Sequence, residues 1–350
     1  MKRRHLYLQW DSNDLCNLNC QHCYHEQEGN PEHFQVKSIL KTSEVINMID
    51  DLCITAKRWN MVPDMAISGG EPLLRKDLYE ILEYTQKKGV RIKLLSNGTL
   101  ITSDIAKKIA KYNIDGIQIS IDGKRELHNK IRGKSFAYDK ALEGVRNASN
   151  AGIIVNIAMT LMQSNKDDFE DVIKSAINNG AKKVGFKSYV PDPILGENDP
   201  NFVDASTFYQ LAIRAKEFAD KYKSQIRILT SDVLFQILES NHPLKEKAKN
   251  ENTFLCGCSA GYRAISVLSD GTVYPCRRLP INVGHISDGL SRIFLENSVM
   301  KNLRDMNSFR NNTNCDKVVH CRGCRAVAYA VTGDYLHKDP MCFKDLVNSN

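Results

Sequence analysis

Short apolar runs alternate with amphipathic segments along most of the chain, and no other property of the sequence restricts its fold as tightly. His5 to Asp11 alternates like a strand, and Ser43 to Arg58 has helical periodicity with Ser43 and Glu44 at its start. The unit then repeats: Asp64 to Ser68 with Lys76 to Lys88, Val90 to Leu95 with Ser103 to Tyr112, and Gly116 to Ile121 with Tyr138 to Asn150. Ile153 to Leu161 with Lys166 to Asn178, and Lys182 to Lys187 with Ser206 to Lys223, complete six units. Such alternation predicts an α/β fold, a parallel sheet whose crossovers are helices. Parallel barrels gather their chemistry on loops at the carboxyl ends of strands. Four polar stretches stand in such places: Cys16 to Cys23, Gly69-Gly70-Glu71-Pro72, Ser96-Asn97-Gly98-Thr99 and Ser120-Ile121-Asp122-Gly123. All four are expected at one mouth.

The first of them, Cys16-Asn17-Leu18-Asn19-Cys20-Gln21-His22-Cys23, is a C-x3-C-x2-C cluster and reads as a metal site. Zinc would need a fourth ligand, for which His22 and His25 are at hand; a four-iron cluster can be held by three thiolates, leaving one iron open. Of the 11 cysteines, three lie here, Cys53 stands alone, and seven lie between 256 and 342. Cys53 falls in a helical pattern and reads as a small buried hydrophobe. The start of the chain has no signal peptide, and no later run is long enough for a membrane span, so a cytoplasmic protein without a membrane partner is expected. Reduced thiols at both ends of such a chain point to metal rather than to disulfides. The formal charge of +7 is spread along the chain with no basic stripe, which argues against a nucleic-acid partner.

The N-terminal spacing resembles the radical SAM superfamily, whose signature is C-x3-C-x-aromatic-C, with His22 here in the aromatic slot. The resemblance implies a partial (β/α)6 TIM-like barrel and a 4Fe-4S cluster on Cys16, Cys20 and Cys23. S-adenosylmethionine is then expected on the open iron and to yield a deoxyadenosyl radical on reduction. Gly69-Gly70-Glu71-Pro72 resembles the family's GGEP motif and is expected to hold the amino group of S-adenosylmethionine. Ser96, Asn97, Ser120 and Asp122 are candidates for its ribose hydroxyls or carboxylate, and Arg132 for pairing with that carboxylate through its planar fork. Arg132 and residues 189 to 205 are both read as lying in loops.

In the second cysteine region, Cys258 is followed by twelve residues, Gly271, four more and Cys276; Cys315, Cys321, Cys324 and Cys342 come later. Leu268 to Tyr274 reads as a hairpin turning at Asp270-Gly271. Zinc ribbons would be the plain alternative. The pattern resembles the SPASM extension of radical SAM maturases, down to Cys321-Arg322-Gly323-Cys324-Arg325-Ala326 and the final Cys342. It implies one auxiliary 4Fe-4S cluster on Cys276, Cys324 and the Cys256/Cys258 pair, and a second on Cys315, Cys321 and Cys342. Asn312 stands where that pattern has a further cysteine, so the second cluster is expected to have an open iron, to use Asp316 or His320, or to be absent. The domains expected are a barrel over 1–223, a linker over 224–253 and a cluster domain over 254–350.

The resemblance implies an enzyme that modifies a ribosomal peptide or a peptide-derived cofactor precursor by crosslinking, decarboxylation or epimerisation. An external electron donor of the flavodoxin or ferredoxin type is expected. With Cys16 so near the start, leader recognition is assigned to a separate leader-binding protein. Sulfatase-maturing members have an acid after the cysteine of G-x4-C; Arg277 and Arg278 occupy that place, against such an activity. A tetrapyrrole side-chain modifier is the second reading, with Arg277, Arg278 and Arg325 as partners for propionates. A non-catalytic zinc-binding scaffold is the reading from another class.

Overall fold

Strand β1 (His5–Asp11) shows how the alternation becomes a barrel wall. Leu6, Leu8 and Trp10 are fully buried, whereas His5, Tyr7, Gln9 and Asp11 line an interior cavity. Successive side chains of a strand point to opposite faces, so one face meets helices and the other the barrel axis. This computed structural model describes residues 3–24, 39–229, 232–238, 254–313, 315 and 317–347, with the side chains of 310–313 outside that description.

From β1 the sheet runs in chain order through β2 (Val62–Ser68), β3 (Arg91–Ser96), β4 (Gly116–Ser120), β5 (Val155–Leu161), β6 (Lys183–Ser188) and β7 (Arg227–Leu229), every pair parallel. The crossovers are α1 (Thr42–Arg58), α2 (Leu78–Lys87), α3 (Ser103–Ala110), α4 (Arg125–Arg132) with α5 (Ala137–Asn150), α6 (Phe169–Asn178) and α7 (Ala205–Lys221). Helix α1 buries Val45, Met48, Ile49, Leu52 and Ala56, one stripe at helical spacing, against the sheet. Each such large aliphatic side chain contributes about 1.5–3 kcal/mol on burial. The barrel read from the sequence is therefore present as a parallel, helix-covered sheet.

Two elements differ from the sequence reading. Residues 125–132 form α4, so Arg132 ends a helix instead of lying in a loop. That helix has little apolar content, and only His128, Ile131 and Arg132 are buried, which hides it from a search for apolar periodicity. Residues 227–229, within the expected linker, form β7 on the edge of β6, a strand too short to show alternation. The charged part of that linker, 239–253, lies outside the described residues.

The C-terminal region continues the sheet on the free side of β1. Strand β8 (Ala264–Val267) pairs parallel with Tyr7 to Trp10, followed by antiparallel β9 (Thr272–Tyr274) and β10 (Gly284–His285). The β8–β9 hairpin turns through Asp270 and Gly271, as the dipeptide indicates, and Gly271 adopts φ +92°. Helices α8 (Leu290–Glu296), α9 (Ser298–Asn302), α10 (Met306–Thr313), α11 (Arg325–Thr332) and α12 (Lys344–Val347) pack around it. Among the described residues no helix is long and apolar enough to cross a membrane.

Candidate active site and metal centres

The loops after β1 and β2 are stitched together by backbone. Gly70 N donates to the Asn13 carbonyl at 2.8 Å and Glu71 N to the Leu15 carbonyl at 2.7 Å. A Cβ on Gly69 would stand 2.4 Å from the Asn13 oxygen, and one on Gly70 2.1 Å from the Leu15 oxygen. The glycines are thus required by the neighbouring cysteine loop itself, which their lack of side chains lets come close.

Glu71 is fully buried. Its carboxylate accepts from Ser96 Oγ and Asn97 N, both at 2.9 Å, and from Leu73 N at 3.3 Å. Burial pushes it up to about 7 despite those hydrogen bonds. Pro72 is buried at the start of a short 3-10 turn. Neither Glu71 nor Pro72 lines the cavity, whereas Gly69, Gly70, Ser96, Asn97 and Ser120 do. In this structure the Glu71 carboxylate joins two loops, and Gly69 and Gly70 are the residues of the motif that face the cavity.

Asp122 is also fully buried and absent from the cavity wall. It accepts from Thr160 N at 3.0 Å, pairs with Arg132 Nη2 at 2.5 Å, and stands 3.8 Å from His22 Nε2. Burial alone would raise the Asp122 carboxyl, but Arg132, His22, His128 and the Thr160 N–H together outweigh it and the group stays below the usual range. Arg132 does reach the cavity, and its Nη1 donates to Cys20 Sγ at 3.5 Å. His22 lines the cavity too; burial pushes it down to about 4 against the pull of Asp122. The sequence indicated Asp122 and Arg132 as ligand contacts, and the structure pairs them with each other behind the cysteine loop.

Cys16, Cys20 and Cys23 all line a cavity of about 710 Å³ in the barrel. Asn97 Nδ2 donates to Cys16 Sγ at 3.8 Å, as Arg132 does to Cys20. From the C-terminal region Cys276, Arg263, Arg277 and Arg278 enter the same cavity. Burial pushes the Cys276 thiol up; Arg278 draws it back, and Cys258 pushes it further. Burial likewise pushes Cys324 up to about 12, with Arg278 lowering and Cys258 raising it, which places Cys258, Cys276 and Cys324 in one electrostatic group. Cys256 turns elsewhere: its Sγ donates to Gln236 Oε1 at 3.2 Å and to the His320 carbonyl at 3.1 Å.

Cys315, Cys321 and Cys342 line a separate cavity of about 290 Å³. His320 is buried and does not line it. His25 and Asp316 lie outside the described residues, as does the side chain of Asn312. Among the described residues no three His, Cys, Asp or Glu side chains close around a single metal ion. A four-iron cluster spreads its thiolates over separate irons, and three thiols facing one cavity, two of them accepting hydrogen bonds from nitrogen, suit that larger group.

Residues 12–176 match the family model described as the radical SAM superfamily, and 256–325 match that of an iron-sulfur cluster-binding domain termed SPASM. The AdoMet-dependent heme synthase of Methanosarcina barkeri is 30% identical over 347 residues, covering 95% of each chain. The mycofactocin maturase MftC of Mycolicibacterium smegmatis is 27% identical over 96% of this chain and 82% of its own. Among solved structures, anSMEcpe with bound AdoMet superposes with a TM-score of 0.74 over 97% of this chain and 95% of that one, at 20% identity. The scaffold reading falls with these matches: the chain belongs to the radical SAM superfamily, in its SPASM-type branch, and is an enzyme of four-iron clusters and S-adenosylmethionine.

Proposed function

We propose that the substrate is a propionate-bearing tetrapyrrole whose carboxylate side chains are altered by radical chemistry, rather than a peptide. The observation that carries this reading is the charge of the cavity wall. Arg91, Arg132, Lys187, Arg263, Arg277 and Arg278 line it, against Asp11, Asp14 and Asp64. Arg91, Arg132 and Arg277 are matched by Asp115, Asp122 and Asp11. Arg263 has no carboxylate partner among the described residues, and Arg278 donates to the Ser188 carbonyl at 2.6 Å. Guanidinium groups in a partly desolvated cavity favour carboxylates, which they bind through paired hydrogen bonds. A substrate with several propionates meets that demand better than a peptide backbone does. The full-length likeness to a heme synthase supports the same choice.

With its cluster and cosubstrate bound, the cysteine loop would supply an oxidant able to take a hydrogen atom from carbon. The chain's own residues bind and orient. Arg132 holds Cys20 and is itself held by Asp122; Asn97 reaches Cys16; the basic wall receives the substrate. A one-electron donor of the flavodoxin or ferredoxin type belongs to this reading, and a leader-binding partner does not.

The test is anaerobic incubation of reconstituted enzyme with S-adenosylmethionine, reductant and iron coproporphyrin, followed by mass spectrometry. A changed porphyrin mass accompanied by deoxyadenosine is expected. An unchanged porphyrin, from enzyme that cleaves the cosubstrate and modifies a short peptide instead, would return the function to the peptide class.

A further inference from the structure

We propose that Arg132 governs the reductive step as a positioning residue: held by Asp122 and donating to Cys20, it sets how readily the iron-sulfur group of the thiol trio takes up an electron. This role goes beyond the tetrapyrrole reading and holds whichever substrate enters the cavity.

Helix α4 puts the guanidinium in place. Its last turn is joined to the cysteine loop by backbone, with Gln21 N donating to the Ile131 carbonyl at 2.8 Å and Asn19 N to the Arg132 carbonyl at 3.3 Å. Gly133 ends the helix at φ +70°, and a Cβ there would stand 2.4 Å from the Asn19 oxygen. Loop and helix end are thus one body, and the Arg132 side chain leaves from a fixed point beside Cys20. Its Nη1 donates to Cys20 Sγ at 3.5 Å while its Nη2 pairs with Asp122 at 2.5 Å. Asp122 is fixed in turn, since its Oδ1 accepts from Thr160 N at 3.0 Å and its backbone N donates to His128 Nδ1 at 3.1 Å.

The buried charges form a short series that ends on sulfur. Burial holds both nearby imidazoles uncharged near neutral pH, His22 pushed down to about 4 and His128 to about 3. The cation therefore touches the sulfur of Cys20, and the carboxylate touches the cation. Cys16 meets only a neutral donor, the Asn97 amide at 3.8 Å.

Taking up an electron adds one negative charge to the group those thiols carry; the electron comes from the external donor, and no bond forms or breaks. A guanidinium at hydrogen-bond distance from a ligand sulfur stabilises that added charge, because net charge and hydrogen bonds to the sulfurs set the potential of such a group. A buried carboxylate opposes it. The two partners of one ion pair therefore act on the potential in opposite directions, which a purely structural brace would not do.

The experiment is anaerobic potentiometry of reconstituted holoenzyme without S-adenosylmethionine, followed by electron paramagnetic resonance, for wild type, R132M, R132Q, R132K and D122N. Subtracting the spectrum of C16A/C20A/C23A leaves the signal of the trio. Iron content equal to wild type shows that each variant is loaded. R132M and R132Q are expected to lower the reduced-to-oxidised ratio at a fixed potential at least about tenfold, a shift of about 59 mV for one electron. R132K, which keeps the charge, is expected to stay closer to wild type, and D122N to move the midpoint the other way. A wild-type midpoint in R132M and R132Q, or shifts of one sign in those variants and D122N, would overturn the role. So would failure of both R132M and R132Q to load the trio, which would make Arg132 a structural brace alone.

Discussion

At the scale of single residues, the site depends on buried charges that hold one another. Asp122 and Arg132 are both buried, and Arg132 also serves Cys20. Removing one partner of such a pair leaves the other charge uncompensated, at about 3–5 kcal/mol. R132M should therefore lower the anaerobic unfolding free energy by about that amount, and D122N in the same chain should recover part of it. Two independent, additive losses in denaturant titrations would show that the pair is not coupled. Glu71 gives a pH signature. Its folded-state value near 7 lies above the ordinary glutamate value of 4.5, so the native state holds the proton more tightly than the unfolded chain. Stability from this group is complete below about 4.5, falls as pH rises towards 7, and is level above it. E71Q should flatten that part of the pH–stability curve; an unchanged slope would assign it to other groups.

At the scale of elements, the cysteine loop is shaped by the loop after β2. A methyl on Gly70 would collide with the Leu15 carbonyl, one residue before Cys16. G70A should displace the loop and remove about four irons per chain, counted by chemical iron assay. A full complement would show that the loop tolerates the shift. The same scale shows what the sequence could reveal. Six strand–helix units were legible because each carries an apolar stripe, as α1 does from Val45 to Ala56. Helix α4 was not, since charged residues dominate it and its buried members include His128 and Arg132. Its position turns Arg132 from a loop residue into a brace for Cys20. Lys187 was within reach of sequence reasoning: its alternation with Val184 and Phe186 predicts an inward lysine at the end of a strand. The direction of Glu71, into the protein and away from the ligand cavity, depends on Ser96 and Asn97 of another strand's loop, which spacing alone does not encode.

At the scale of the whole molecule, the parallel pairing of β8 with β1 brings Cys276 and three arginines into the barrel's own cavity. The thiol set of Cys315, Cys321 and Cys342 has a cavity to itself. If each of the three thiol sets holds a four-iron cluster, wild type carries about twelve irons and C342A about eight. Equal iron in the two proteins would leave that third set empty. The resemblance to the SPASM pattern implied these groupings, while the separate surroundings of Cys256 are seen only in the fold, which turns it towards Gln236. The central claim is that this shared cavity presents a propionate side chain to the radical generated at Cys16, Cys20 and Cys23. It is tested most directly with iron coproporphyrin deuterated on its propionate carbons: one turnover should place deuterium in the deoxyadenosine released. Deoxyadenosine formed in step with porphyrin consumption yet free of deuterium would contradict it.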